Sequence, residues 1–201
     1  MVRLRAVASG ERAEARSLRV HTPAPTLALS RWESRQEGFA DAERFAREHG
    51  FDTAIRPTGG RAAAYDGTCL VFDLVVREEG GLDPRPLFAG TSERLAAELR
   101  TLGVDARVGE IPGEYCPGEF SINARGLVKM IGTSQRAVRG ARLLSGVIAL
   151  GGVDHLLPVL SHANEALGLE WNPSTFGGLE VEVGVVDRRQ VADALIAALM
   201  E

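Results

Sequence analysis

Apolar residues recur along the 201-residue chain with two different periods, and the period switches from segment to segment. Two short strands are predicted over 17–22 and 26–31, with Pro23 and Pro25 marking the turn between them. Phe39, Ala42, Phe45, Ala46 and His49 then fall at helical spacing, so 38–49 reads as a helix that Gly50 stops. A short strand over 52–56 runs into the polar loop Pro57-Thr58-Gly59-Gly60-Arg61. The densest run of β-branched and aromatic residues, TCLVFDLVVR at 68–77, predicts the strongest strand. A Gly/Pro/charged loop follows over 78–86. Leu95, Leu99 and Leu102 then share one face of a helix over 91–102, opened by a Thr-Ser cap and closed by Gly103.

Further on, 104–108 reads as a strand and 109–118 as a Gly/Pro-rich loop; 120–124 and 128–131 form a hairpin turning at Arg125-Gly126. Residues 137–150 fit either two strands or a helix. Residues 154–167 read as a helix, with Pro158 in its first turn or at a kink. Alternation over 179–186 predicts a strand. A closing helix over 187–199 starts with Asp187 and Gln190 arranged like a capping box and turns Val191, Ala192, Leu195, Ile196 and Leu199 inward. Residues 1–16, polar and rich in Arg, Glu and Ala, are expected to be flexible or a short helix. No repeat or low-complexity linker interrupts 17–201. Interleaved strands and helices predict an α/β (α+β) fold: one domain with a mixed central sheet flanked by helices.

Composition narrows the function classes. The length suits one domain with a full core. A net charge of −4 without a basic block argues against a general nucleic-acid partner. No apolar run approaches the ~18 residues of a membrane span, and Arg3 and Arg5 are not followed by an apolar stretch of signal-peptide length, so a cytoplasmic location is expected. Two cysteines, Cys69 and Cys116, are too few for a disulfide framework. Four scattered histidines offer no metal-ligand spacing, so no metal is expected.

Three segments can carry chemistry. In Arg56-Pro57-Thr58-Gly59-Gly60-Arg61, adjacent glycines let backbone N–H groups approach a ligand as an anion or oxyanion nest, with arginines beside it. On spacing alone, a surface turn with two solvated arginines is the commoner outcome. In Tyr115-Cys116-Pro117-Gly118, a thiol in a loop is a candidate nucleophile for acyl transfer between thioesters, although a lone cysteine is more often a small buried hydrophobe. Cys69, inside the strongest strand, is read as such a hydrophobe. In Lys129-Met130-Ile131-Gly132-Thr133-Ser134-Gln135-Arg136, the chain's only lysine stands on a strand beside a Gly-Thr-Ser turn, where it can act as a base or polarise a carbonyl. A solvated strand lysine is the commoner outcome there too.

Taken in order, the motifs resemble one superfamily. RPTGGRAAAYD at 56–66 is similar to the RRPTGGRAVLHD-type signature of cofactor ligases and octanoyltransferases, and KMIGTSQR at 129–136 to the K-x-x-G-x-[AS]-Q-R segment that follows it. GEYCPGEFSINARG at 113–126 resembles the YCPG-x-[FY]-D segment of the cysteine-dependent octanoyltransferases, and LRVHTPAPTLALSR at 18–31 resembles the entry strands LRFY-x-x-PPTLSLG. The resemblance covers roughly residues 17–150 and marks 17–201 as a lipoate ligase/octanoyltransferase-like catalytic domain.

That resemblance implies an acyl tunnel between sheet and helices, with Cys116 taking octanoyl (or lipoyl) as a thioester and Lys129 activating it or holding the carbonyl. Arg56, Thr58, Gly59, Gly60, Arg61, Tyr65, Gly132 and Gln135 shape the substrate pocket. The implied donor is octanoyl-acyl carrier protein or another acyl carrier, and the acceptor a lysine of a lipoyl-domain protein. Neither nucleic acid nor membrane is a partner, and no cofactor is needed. An ATP-dependent lipoate ligase, which would use ATP and Mg, and a non-catalytic acyl- or carrier-binding paralogue are the alternatives. Three departures from the family pattern bear on these expectations. Tyr65 stands where the family has histidine. Ser121 stands where it has aspartate, which removes a carboxylate. The family's usual additional N-terminal helix has no counterpart here.

Overall fold

The computed structural model describes residues 1–11, 14–78 and 83–200. Helix α1 (Val2–Ala8) leads to strand β1 (Arg16–His21) and strand β2 (Thr26–Leu29), then helix α2 (Phe39–Glu48). Strands β3 (Asp52–Ile55), β4 (Ala63–Tyr65) and β5 (Cys69–Arg77) precede helix α3 (Arg85–Thr101). Next come β6 (Ala106–Val108), β7 (Ile122–Ala124), β8 (Val128–Val138) and β9 (Ala141–Ala149). Helices α4 (Leu156–Ala166), α5 (Glu180–Val183) and α6 (Arg188–Met200) close the chain.

Six strands form one sheet in the order β1-β5-β9-β8-β7-β6, with every strand pair antiparallel; β3-β2-β4 form a second sheet in which β2 and β3 run parallel. The expected α+β fold with a mixed sheet between helices is therefore present, its parallel strand pair confined to the smaller sheet.

Side chains alternate across a strand, so the two faces of the large sheet can be read from the register. Phe72, Leu74, Leu144 and Ile148 point to one face, where Leu95 and Leu99 of α3 and Val191, Leu195 and Leu199 of α6 bury them. The opposite face carries Cys69, Val71, Asp73 and Val75 on β5, paired with Ala149, Val147, Ser145 and Leu143 on β9. The small sheet with α2 and α4 covers one end of this face, over Cys69 and Ala149. Helix α1 covers the other end, placing Leu4 and Val7 on Val75 and Leu143. The middle, Val71, Asp73, Ser145 and Val147, is left as the floor of a cavity.

Several local expectations change. Residues 179–186 are not a strand: 180–183 make one helical turn, and the alternating Val181 and Val185 face solvent, so their period marks no buried face. Helix α3 begins at Arg85, not near Thr91. Its start is set by Pro84 and Pro86, and Ser92, instead of capping, is buried and donates to the Phe120 carbonyl. The loop expected over 78–86 lies partly outside the described residues. The ambiguous segment 137–150 resolves into the end of β8 and strand β9, turning at Gly140 (φ +86°). Gly132-Thr133-Ser134 is not a turn but the middle of β8. Residues 63–65 form a strand that the sequence pattern did not suggest.

Phe72 owes its place to Gly146, the residue opposite it on β9; a Cβ built there would lie 2.2 Å from the ring. Gly146→Ala is expected to cost about 1–3 kcal/mol through overpacking. Urea unfolding checks this: the midpoint should fall while the slope stays constant, and an unchanged midpoint would show that the core absorbs the methyl.

Candidate active site

The cavity has a volume of about 1070 Å³, and all ten residues singled out from the sequence line it. The corner around Cys116 is built where two loops and the start of β8 meet.

The first loop follows β3. Gly60, at φ +90°, adopts a backbone conformation that favours glycine, and a Cβ there would sit 3.1 Å from Cys116 Sγ. That close approach lets the Arg61 N–H donate to Cys116 Sγ at 3.2 Å. Arg56 holds the loop from inside: its guanidinium donates to the carbonyls of Gly59, Arg61 and, at 3.1 Å, Ala28. Glu33, fully buried, holds it from behind. Its carboxylate accepts from the N–H of Ala62 and of Ser30, each at 2.6 Å. Farther along, Thr58 accepts a hydrogen bond from Ser134 at 2.8 Å, and Arg61 reaches the Glu170 carbonyl.

The second loop, between β6 and β7, carries Cys116 half-buried on the cavity wall. Tyr115 anchors it. Its ring is buried and meets Trp171 and Phe176 edge-on, at 6.2 and 5.7 Å between centroids. Burial pushes the Tyr115 phenol well above its ordinary pKa, so it stays neutral. Asn172 adds a backbone bond to the Gly113 carbonyl at 2.7 Å.

Lys129 reaches this corner through a bulge. Ile122 pairs with Ile131 but Asn123 pairs with Lys129, so Met130 is an extra residue in β8. Strict alternation from Ile131 would turn Lys129 into the core. Instead Met130 joins Ile131 in the core, and Lys129 turns to the cavity beside Gly132. A Cβ at Gly132 would lie 3.1 Å from Lys129 Cε and 3.2 Å from the Tyr115 hydroxyl, so this glycine makes room for both. The ammonium donates to Glu114 Oε1 at 3.1 Å and to the Cys116 carbonyl, and it stands 4.8 Å from the centre of the Tyr115 ring. The lysine side chain is 2% exposed and that of Glu114 is 0%. Glu114 also accepts from Ser121 Oγ at 2.7 Å. The lysine Nζ, held between a buried carboxylate and a backbone carbonyl, is placed to donate a hydrogen bond to a carbonyl brought into this corner.

Tyr65 and Gln135 stand away from this corner. Tyr65 forms part of the cavity wall, and burial raises its pKa, with Arg56 opposing the shift; it is a neutral phenol near neutral pH. Gln135 ties β8 to the start of α3 through the Pro84 carbonyl and accepts from Arg142. Cys69 is buried, and desolvation pushes its thiol pKa up, as suits a core residue. Between the floor strands, Ser145 donates to Asp73 at 2.6 Å, giving the cavity one polar rung among its apolar lining.

No family model matches the chain. A search of curated proteins finds an octanoyl-[GcvH]:protein N-octanoyltransferase from Exiguobacterium sibiricum, 34% identical over 118 residues. That match is 57% of this chain but only 42% of the relative, so the comparison spans less than half the relative's length. Among solved structures, a T. acidophilum lipoate protein ligase with bound lipoic acid superposes with a TM-score of 0.75 at 22% identity, over 97% of this chain and 76% of that one. Lipoate-protein ligase A bound with ATP gives 0.74, again at 22% identity and over the same shares. The chain is similar in sequence, over 118 residues, to an octanoyltransferase and similar in fold to lipoate-protein ligases. Its fold is that of the lipoate ligases, and the cysteine loop expected from the octanoyltransferase resemblance faces the cavity of that fold.

Sequence reasoning missed the two buried carboxylates. Glu114 lay inside the quoted cysteine segment, but nothing in the pattern distinguishes a buried glutamate from a solvated one. Glu33 sits in the polar run RWESRQEG, which reads as surface. Glu33→Gln keeps one acceptor oxygen for two backbone donors. It is expected to cost about 1–3 kcal/mol and to speed amide exchange at Ser30 or Ala62. Residue-resolved hydrogen exchange checks this; equal protection in both proteins would show that the loop is held by other bonds.

Proposed function

We propose that the chain is an acyltransferase that moves an octanoyl or lipoyl group from a carrier protein to a lysine of a lipoyl-domain protein, by way of a thioester on Cys116. The observation that carries this reading is the thiol at the cavity wall, with the Arg61 N–H aimed at its sulfur and the Lys129 ammonium anchored to the carbonyl of the same residue. The Cys116 sulfur attacks the donor's acyl carbon, the bond to the donor breaks, and the thiol proton leaves with the donor group. An acceptor lysine amine then attacks the thioester, an amide forms, and the proton given up by the amine returns to the Cys116 thiol. Lys129 and the glycine-rich loop offer cationic and N–H donors to the oxyanion in both steps. The apolar part of the cavity takes the acyl tail.

The relatives' name puts octanoyl on GcvH before transfer to protein, so octanoyl-GcvH joins octanoyl-acyl carrier protein as a candidate donor. The reaction needs no cofactor and suits a cytoplasmic setting in which thiols stay reduced. Among the described residues, no helix is long and apolar enough to cross a membrane.

Intact-mass analysis after incubation with each donor tests the proposal. One octanoyl increment is expected, retained by Cys69→Ser and lost in Cys116→Ser. Absence of any adduct with both donors would overturn it. The fold neighbour solved with ATP keeps a second reading in view, an ATP-dependent lipoate ligase. Activity that needs ATP and Mg and survives Cys116→Ser would establish that reading instead. Acyl or carrier binding without an adduct, weakened by Lys129→Ala, would mark a non-catalytic paralogue.

A further inference from the structure

The Glu114 carboxylate joins the cysteine loop to β8 beside Lys129. Its Oε1 accepts from Lys129 Nζ at 3.1 Å and from Ser121 Oγ at 2.7 Å, and its Oε2 lies 3.5 Å from the Ile111 N–H. Ile111 and Ser121 bracket the loop that carries Cys116, so one buried side chain closes the loop on itself and joins it to β8. We propose that Glu114 is a positioning residue that sets the Lys129 ammonium against the Cys116 loop, in the place a carboxylate at position 121 would otherwise serve. This deepens the acyl-transfer reading and rests on it for the role of Lys129.

The geometry supports the exchange of positions. Ser121 Oγ is within hydrogen-bond distance of the oxygen that binds Lys129, so a carboxylate grown from residue 121 would extend into the space Glu114 now fills. Positions 114 and 121 are both buried, so carboxylates at both would place two like charges side by side, and one carboxylate with the neutral Ser121 avoids this. The carboxylate that Ser121 removes from the motif is thus present, supplied from seven residues earlier in the chain. Glu114 touches Lys129 and the loop ends, not the sulfur, so it acts through the lysine.

Lys129 is the chain's only lysine, which makes the test specific: protein labelled with [15N]lysine gives a single side-chain Nζ signal. Its hydrogens should be protected from solvent exchange in the wild type and lose at least tenfold of that protection in Glu114→Gln. The rate of Cys116 octanoylation should fall by a similar factor or more. Lys129→Met should slow it too, and the Glu114→Gln/Lys129→Met pair should be no slower than Lys129→Met alone, because the two act as one unit. The exchange Glu114→Ser/Ser121→Asp should recover protection and at least tenfold in rate over Glu114→Ser. Circular dichroism establishes that each variant is folded at the assay temperature. An Nζ signal unmoved by Glu114→Gln, multiplying penalties in the double variant, or an exchange variant no better than Glu114→Ser would each overturn the proposal. If Glu114→Gln and Glu114→Ser do not fold, a folded exchange variant with a protected signal supports the proposal, and one that also fails to fold overturns it. The Nζ signal does not depend on turnover. A wild type that forms no adduct therefore sinks the acyl-transfer reading, while the signal still decides whether Glu114 positions the lysine.

Discussion

An ammonium withdrawn from water is tolerated only where a counter-charge and hydrogen-bond acceptors replace its hydration. Lys129 meets both conditions through Glu114 and the Cys116 carbonyl, and the rest of the site follows from meeting them. The glutamate must be buried, so its loop must fold back on it, and Tyr115 fills the hydrophobic gap beneath. The lysine must leave the core, so β8 carries an extra residue. Its stem and the tyrosine hydroxyl need room, so Gly132 has no side chain to offer. None of these features would be needed around a solvated lysine.

The second half of the corner is held by different means. The glycine-rich loop approaches Cys116 because its own side chains do not compete for the space, and it is fixed from both sides by charged groups used as scaffolding. Arg56 gathers carbonyls on one side; Glu33 gathers N–H groups on the other. The Arg61 N–H is thereby left to point at the sulfur. The cavity beside them is the uncovered middle of a sheet face whose two ends are packed by the small sheet and by α1, so binding space and core are made from the same strands.

Much of this was legible in the sequence where the signal is local. The glycine pair at 59–60, a thiol among prolines and glycines, and a lone lysine are visible as letters, and all of them line the cavity. The strand 68–77 is dense enough in β-branched residues to declare itself. Failures came where structure depends on distant partners. Alternation at 179–186 looked like a strand, yet no edge receives Val181 and Val185, and the segment coils into a turn. Arg56 lines the cavity as expected of a pocket residue, but that its guanidinium also binds three carbonyls depends on the folded loop that supplies them. Glu33 and Glu114 are indistinguishable from surface glutamates until the fold buries them. The resemblance supplied the order of the motifs; the register shift that aims the lysine could come only from the pairing of β7 with β8.

That register shift has a mechanical consequence. The lysine belongs to a strand that pairs with β7 at its own position and bridges to Phe176, whereas the cysteine belongs to a loop tied down by side chains and a few backbone bonds. The two groups therefore take their positions from different sources: one from strand register, the other from the bonds that close a loop. Strand β8 thus serves as the datum from which the depth of the whole cavity is measured, and inserting or deleting a single residue in that strand would move the datum to the opposite side of the sheet.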